Sequence, residues 1–148
     1  MKTTKGSKIL NPRARYDYEL GDEIIAGIVL SGKETKALRQ GKGNLRGSFV
    51  NLKDGELFLV NATITDGKTF TIPDSQQTRT RKLLVNKKQL KIFIEAKEQG
   101  KTIVPIEILT RGRYIKIKIA PGKGKKRYDK RQAIKKRDQM RDAQRSIK

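Results

Sequence analysis

The chain has 148 residues, with no cysteine, histidine or tryptophan, and a formal charge of +21 from 36 Lys and Arg against 15 Asp and Glu. Without Cys or His it has no disulfide, no thiolate nucleophile and none of the nitrogen or sulfur ligands of a zinc site. So large a positive excess sets up a field that draws polyanions, which makes nucleic acid the expected partner and an anionic membrane surface the competitor. The length suits one domain plus a tail. The expected division is a flexible N-terminus over 1–10, a folded domain over 11–120 and a basic tail over 121–148.

In chain order, Asn11-Pro12-Arg13-Ala14-Arg15-Tyr16 is a basic, aromatic cluster ahead of the first strand. Ile24–Leu30 is a near-continuous β-branched run, which predicts a strand buried on both faces. Ser31 with Glu34 three residues on is a capping box, opening a short helix through Arg39 that Gly41 and Gly43 end. Phe49–Lys53 and Leu57–Ala62 flank Asp54-Gly55, a strong hairpin signal. Residues 65–78 read as a polar loop with Gly67 and Pro73. Thr78-Arg79-Thr80-Arg81-Lys82 is a second basic cluster leading to a helix, for which Asn86 and Gln89 form the capping pair, Leu90, Phe93 and Ile94 the apolar face, and Gly100 the stop. Thr102–Leu109 and Tyr114–Ile119 make a last hairpin around residues 110–113. In its second strand Ile115, Ile117 and Ile119 alternate with Lys116 and Lys118, so one face is core and the other basic.

Strand, helix, hairpin, loop, helix and hairpin add up to a mainly β fold. The expectation is an OB-like antiparallel barrel with two or three flanking helices, a frequent carrier of RNA binding. Tyr16, Tyr18 and Tyr128 lie beside basic residues and suit stacking on unpaired bases.

The last 28 residues hold 12 Lys or Arg against 3 Asp. Their few apolar side chains are too sparse to offset the entropy of ordering, so the tail is expected to be unstructured alone. Asp129 and Gln132 nevertheless form a helix-start pattern, and a helix from there aligns Arg137, Arg141 and Arg145 on one face. No Trp, Phe or Leu is present in the tail to bury in a lipid interface, which disfavours the membrane. No apolar run approaches the ~18 residues of a membrane span, and the basic N-terminus lacks the apolar core of a signal peptide. A cytoplasmic protein is expected.

Little points to catalysis. Glu34, Asp54 and Glu56 sit at cap and turn positions, and there is no P-loop or dinucleotide-binding glycine pattern. The expectation is a binding protein, not an enzyme, with no metal or cofactor.

Several segments together resemble one family, the SsrA-binding proteins, also called small protein B. They are residues 11–18 (NPRARYDY), 26–34 (AGIVLSGKE), 36–42 (KALRQGK), 54–59 (DGELFL), 78–84 (TRTRKLL) and 124–131 (GKKRYDKR), in the family's order. The TRTRKLL and GKKRYDKR strings are specific; the others are weak singly. The resemblance implies an OB-like barrel that binds transfer-messenger RNA (tmRNA, or SsrA RNA). It also implies delivery to stalled ribosomes for trans-translation, with the nascent peptide tagged and the ribosome freed. The barrel would hold the tRNA-like part of the RNA, and the tail would become helical in the vacant mRNA channel beside the small-subunit decoding centre. Elongation factor Tu and alanyl-tRNA synthetase would act on the same RNA, and the protein would be a monomer.

On the residues and the resemblance together, the expected tmRNA contacts are Asn11, Arg13, Arg15, Tyr16, Arg79, Arg81, Lys82, Leu84, Asn86, Lys116 and Lys118. Of these, Asn11, Leu84 and Asn86 come from the resemblance. The expected ribosomal contacts are Gly124, Lys125, Lys126, Tyr128, Asp129, Lys130, Arg131, Lys135, Arg137, Arg141 and Arg145. One position departs from the family: the residue before Ala26-Gly27 is commonly Glu and is Ile25 here. Either Glu23 or Asp22 takes its role, or that contact is absent. The rival reading is a basic ribosomal or assembly protein, or a general RNA chaperone.

Overall fold

A computed structural model of the chain describes residues 9–125. Ten strands and four helices lie among them: β1 (Ile9–Leu10), α1 (Ala14–Asp17), β2 (Tyr18–Leu20), β3 (Ile24–Ile28), α2 (Gly32–Arg39), β4 (Gly43–Asn44), β5 (Phe49–Lys53), β6 (Glu56–Val60), β7 (Thr63–Ile64), α3 (Asp74–Gln77), β8 (Arg81–Leu84), α4 (Lys87–Glu98), β9 (Thr102–Leu109) and β10 (Lys116–Gly124). The main sheet runs β9-β5-β6-β8-β3-β10 and closes through β9–β10, every pairing antiparallel. This is the expected OB-like barrel, closed by six strands. β1 and β2 extend it at β9 and β10, and β4–β7 form a separate ribbon.

The local signals act as their chemistry dictates. The Ser31 hydroxyl accepts from the Glu34 amide while the Glu34 carboxylate accepts from the Ser31 amide, so both sides of the capping box form on α2. Asn86 and Gln89 do the same for α4. Asp54 and Gly55 both have positive φ, 51° and 74°, the two-residue turn whose twist matches that of its strands. Inside the barrel Leu57, Leu59, Ile103, Ile117 and Ile119 meet Leu38 from α2 and Phe93 from α4. Burying a side chain such as Phe93 contributes about 1.5–3 kcal/mol.

Several boundaries differ from expectation. Of the four helices, α2 and α4 are the two substantial ones; α1 and α3 are single turns. Residues 65–78 are mostly irregular as expected, with α3 within them. The supposed flexible N-terminus already supplies Ile9 and Leu10 to a ladder with Ile108 and Glu107. The supposed tail begins late: Gly122, Lys123 and Gly124 pair with Leu20, Glu19 and Tyr18. Thr78–Lys82 does not run straight into a helix, because Arg81–Leu84 is strand β8, paired with β3 and β6. β3 is not buried on both faces: Ile25 is 49% and nearby Val29 45% exposed. A closed barrel buries one face of each strand and here leaves part of the other uncovered, so a continuous apolar run is not diagnostic.

Candidate nucleic-acid interface

The outer face of β3, β8 and β10 gathers three of the seven exposed large apolar side chains among the described residues, Ile25, Val29 and Leu84. Gly27 pairs with Leu84 on one side and Lys116 on the other, and Ile25 pairs with Lys118. Gly27 has no side chain, so Leu84 lies close over it; a Cβ there would stand 3.3 Å from the Leu84 Cβ. Leu84 is 52% exposed. The Val29 amide bonds the Lys82 carbonyl at 2.9 Å, which brings Lys82 to the same border. The result is an apolar strip of Ile25, Val29 and Leu84 rimmed by Lys82, Lys116 and Lys118.

The N-terminal cluster adjoins one end of this strip. Arg15 bonds Glu23 at 2.7 Å, and Lys118 reaches the other oxygen of Glu23 at 3.5 Å. The Arg15 bond first, and Lys118 after it, hold the Glu23 carboxyl below its ordinary pKa despite some desolvation. Glu23 thus sits beside Ile25 but is occupied by two cations. Lys118 also contacts Glu107 at 3.4 Å. The Arg13 guanidinium covers the Tyr16 ring at 4.7 Å and pairs with Asp17.

Two expected contacts have other work. Asn11 donates from Nδ2 to the Pro105 carbonyl at 2.9 Å, and its own amide bonds the Ile106 carbonyl at 2.8 Å. It ties α1 to the irregular stretch of β9, where the register with β10 shifts. Asn86 is held in the α4 cap.

Arg81 is the clear correction. It is 0% exposed, and its guanidinium donates to Glu34 and to the carbonyls of Ala62, Gln76, Gln77 and Arg79. No face of it is left for a phosphate. On a strand, alternate residues share a face, so Arg81 and Leu83 point inward while Lys82 and Leu84 point outward. Glu34, 2% exposed, is the counter-charge; it accepts from Arg81 Nε at 2.8 Å and from Arg79 Nε at 3.0 Å, with a further bond from Arg79 Nη2. Burial pushes the Glu34 carboxyl up, yet the bonds from Arg79, the Ser31 amide and Arg81 outweigh it and hold the pKa low. Burial pulls Arg81 down, against Glu34. Arg79 is half-buried over this pair, and Lys82 is exposed beside Glu56 at 3.0 Å.

Further round the barrel a cavity of ≈ 530 Å³ opens between α1, β5 and β9, with Arg13 on the side nearer the strip and Arg46 and Phe49 on the β5 side. Gly124 and Lys125 leave the barrel at α1, where the Lys125 amide bonds the Asp17 carbonyl and Lys125 Nζ the Arg15 carbonyl, both at 2.9 Å. Lys126, Tyr128, Asp129, Lys130, Arg131, Lys135, Arg137, Arg141 and Arg145 lie outside the described residues.

A closed antiparallel barrel with a lysine-rimmed, uncovered apolar face is the build of a small nucleic-acid-binding module. The family model described as "SmpB protein" matches residues 8–148, and the chain belongs to that family. An SsrA-binding protein of Shouchella clausii is 40% identical over 99% of this chain and 96% of its own length. Another, from Streptococcus suis, is 42% identical over 93% of this chain and 90% of its own. A solved structure described as "tmRNA-SmpB: a journey to the center of the bacterial ribosome" aligns with a TM-score of 0.65 and 36% identity, covering 86% of this chain and 94% of that one.

Proposed function

We propose that this chain binds SsrA RNA through the outer face of β3, β8 and β10 and carries it to stalled ribosomes for trans-translation. The nascent peptide is then tagged and the ribosome released. Membership of the family and its likeness to a protein seen with tmRNA and the ribosome support the partner. One observation carries the choice of face: the exposed Ile25–Val29–Leu84 strip with lysines around it. Apolar side chains there suit base and ribose surfaces, while the lysines neutralise phosphates as point charges.

In this reading Asn11, Asn86, Arg81 and Glu34 position the surface, and Lys82, Leu84, Lys116 and Lys118 touch RNA. Arg13, Arg15, Tyr16 and Arg79 stand at its edges. The basic tail enters an mRNA channel empty of message, where phosphates supply its missing counter-charge. Elongation factor Tu and alanyl-tRNA synthetase act on the RNA held here. The protein works as a cytoplasmic monomer by binding alone; no described helix is long and apolar enough to cross a membrane.

Sequencing the RNA that co-purifies with the tagged protein tests the partner. Enrichment of SsrA RNA is expected; bulk ribosomal RNA without it would favour a ribosomal or chaperone role. Leu84→Asp tests the face. It places a carboxylate among the expected phosphates at an exposed position, so affinity should fall at least tenfold, about 1.4 kcal/mol, with thermal stability unchanged. An unaltered affinity would move the RNA to another surface.

A further inference from the structure

The β9–β10 hairpin tip, residues 110–115, belongs to no site described above. Tyr114 at its end is 67% exposed, the highest value among the exposed large hydrophobic residues of the described chain. Its neighbour Ile115 is buried and Lys116, where β10 begins, is exposed, so Tyr114 stands out from the bend that leads into that strand. The tip is prepared rather than loose. Arg39 of α2 donates from Nη1 to the Thr110 carbonyl at 3.1 Å and from Nη2 to the Arg113 carbonyl at 3.0 Å. The Arg113 guanidinium lies over the Tyr114 ring, 5.6 Å from its centroid, and covers one side of it.

We infer that Tyr114 is a stacking platform for an unpaired base of the RNA held on the adjoining face. A base laid on the open side would complete a stack of guanidinium, phenol and base, with Arg113 fixing the ring and contributing cation–π attraction. Charge selects the occupant: Arg111, Arg113 and Lys116 lie at the tip, and no acidic residue occurs between Ile108 and Tyr128. A basic segment of the chain itself is repelled there, whereas nucleic acid is attracted. The tip also continues the row that begins at Lys118, so RNA lying along β10 passes over it. Burial beside the core gives no reason for a tyrosine at so exposed a position.

This inference rests on the RNA-binding reading, and its test separates the two. The chain has no tryptophan, so Tyr114→Trp introduces a single fluorophore at the proposed platform. With SsrA RNA as the probe, Tyr114→Trp should bind like wild type and its emission should be quenched at saturation. Tyr114→Ala should bind at least fivefold more weakly while melting like wild type. Wild-type affinity in Tyr114→Ala, or lost affinity with no quenching in Tyr114→Trp, overturns the platform and leaves the rest of the interface standing. Failure of the wild type itself to bind SsrA RNA overturns both.

Discussion

Replacing Glu34 by alanine should cost about 3–5 kcal/mol of folding stability, the usual penalty for stripping one partner from a buried ion pair. The loss falls mainly on Arg81, which is 0% exposed and would keep a charge with no counter-ion. The α2 capping box disappears with it, since the same carboxylate accepts from the Ser31 amide. Arg79→Ala should cost less, about 1–2 kcal/mol, because that guanidinium is half-exposed and water replaces part of what it loses. Urea unfolding of the purified variants measures both. A loss of only about 1 kcal/mol in Glu34→Ala, with none in Arg79→Ala, would mean that Glu34 serves as a cap alone. The pH dependence carries a sign. The folded pKa of Glu34 lies below the ordinary glutamate value, about 4.3. Its ionised form therefore stabilises the protein fully above that value, and the contribution fades as pH falls through the lower, folded one. The gap between wild type and Glu34→Gln should be constant at neutral pH and shrink only in acid.

Removing residues 126–148 should abolish tagging while SsrA RNA affinity stays within a few-fold of the full chain. Those residues hold ten Lys or Arg against three Asp, a local charge suited to a channel of phosphates. The proposed RNA face lies wholly on the barrel. The cut must fall after Lys125: Gly122–Gly124 form a ladder with β2, and Lys125 is bonded to the carbonyls of Asp17 and Arg15. A truncation begun at Gly122 would unravel the attachment of α1 and confuse tail with barrel. Filter binding and a tagging reaction on the same preparation read the two activities. RNA binding lost in step with tagging would show that the tail belongs to the RNA site.

What the sequence made legible follows from how local each cause is. Both capping boxes, the Asp54-Gly55 turn and the Ile115/Ile117/Ile119 alternation depend on residues within a few positions, and each formed where expected. Strand β8 was hidden because its inward residue is Arg81, whose partner Glu34 lies 47 positions away. An arginine on a core face breaks the apolar alternation by which a strand is read. The same fact turned one of the three basic contacts expected in residues 78–82 into a structural post. The apolar half of the interface was hidden for the opposite reason: Ile25 and Val29 read as core, and only closure of the barrel shows which side of β3 is bare. Tyr114 gave no sequence signal beyond the two arginines that precede it, Arg111 and Arg113. Its exposure and the Arg39 brace are visible only once α2 and the hairpin are placed together.

Amide NMR shifts recorded during titration of the full-length labelled protein with SsrA RNA report directly on which side of the barrel holds the nucleic acid. The shifts should concentrate at Gly27, Leu84, Tyr114 and Lys116 and leave Arg46 and Phe49, further round the barrel, nearly still. Movement confined to Arg46, Phe49 and their neighbours, with Gly27 and Leu84 unmoved, would contradict the account.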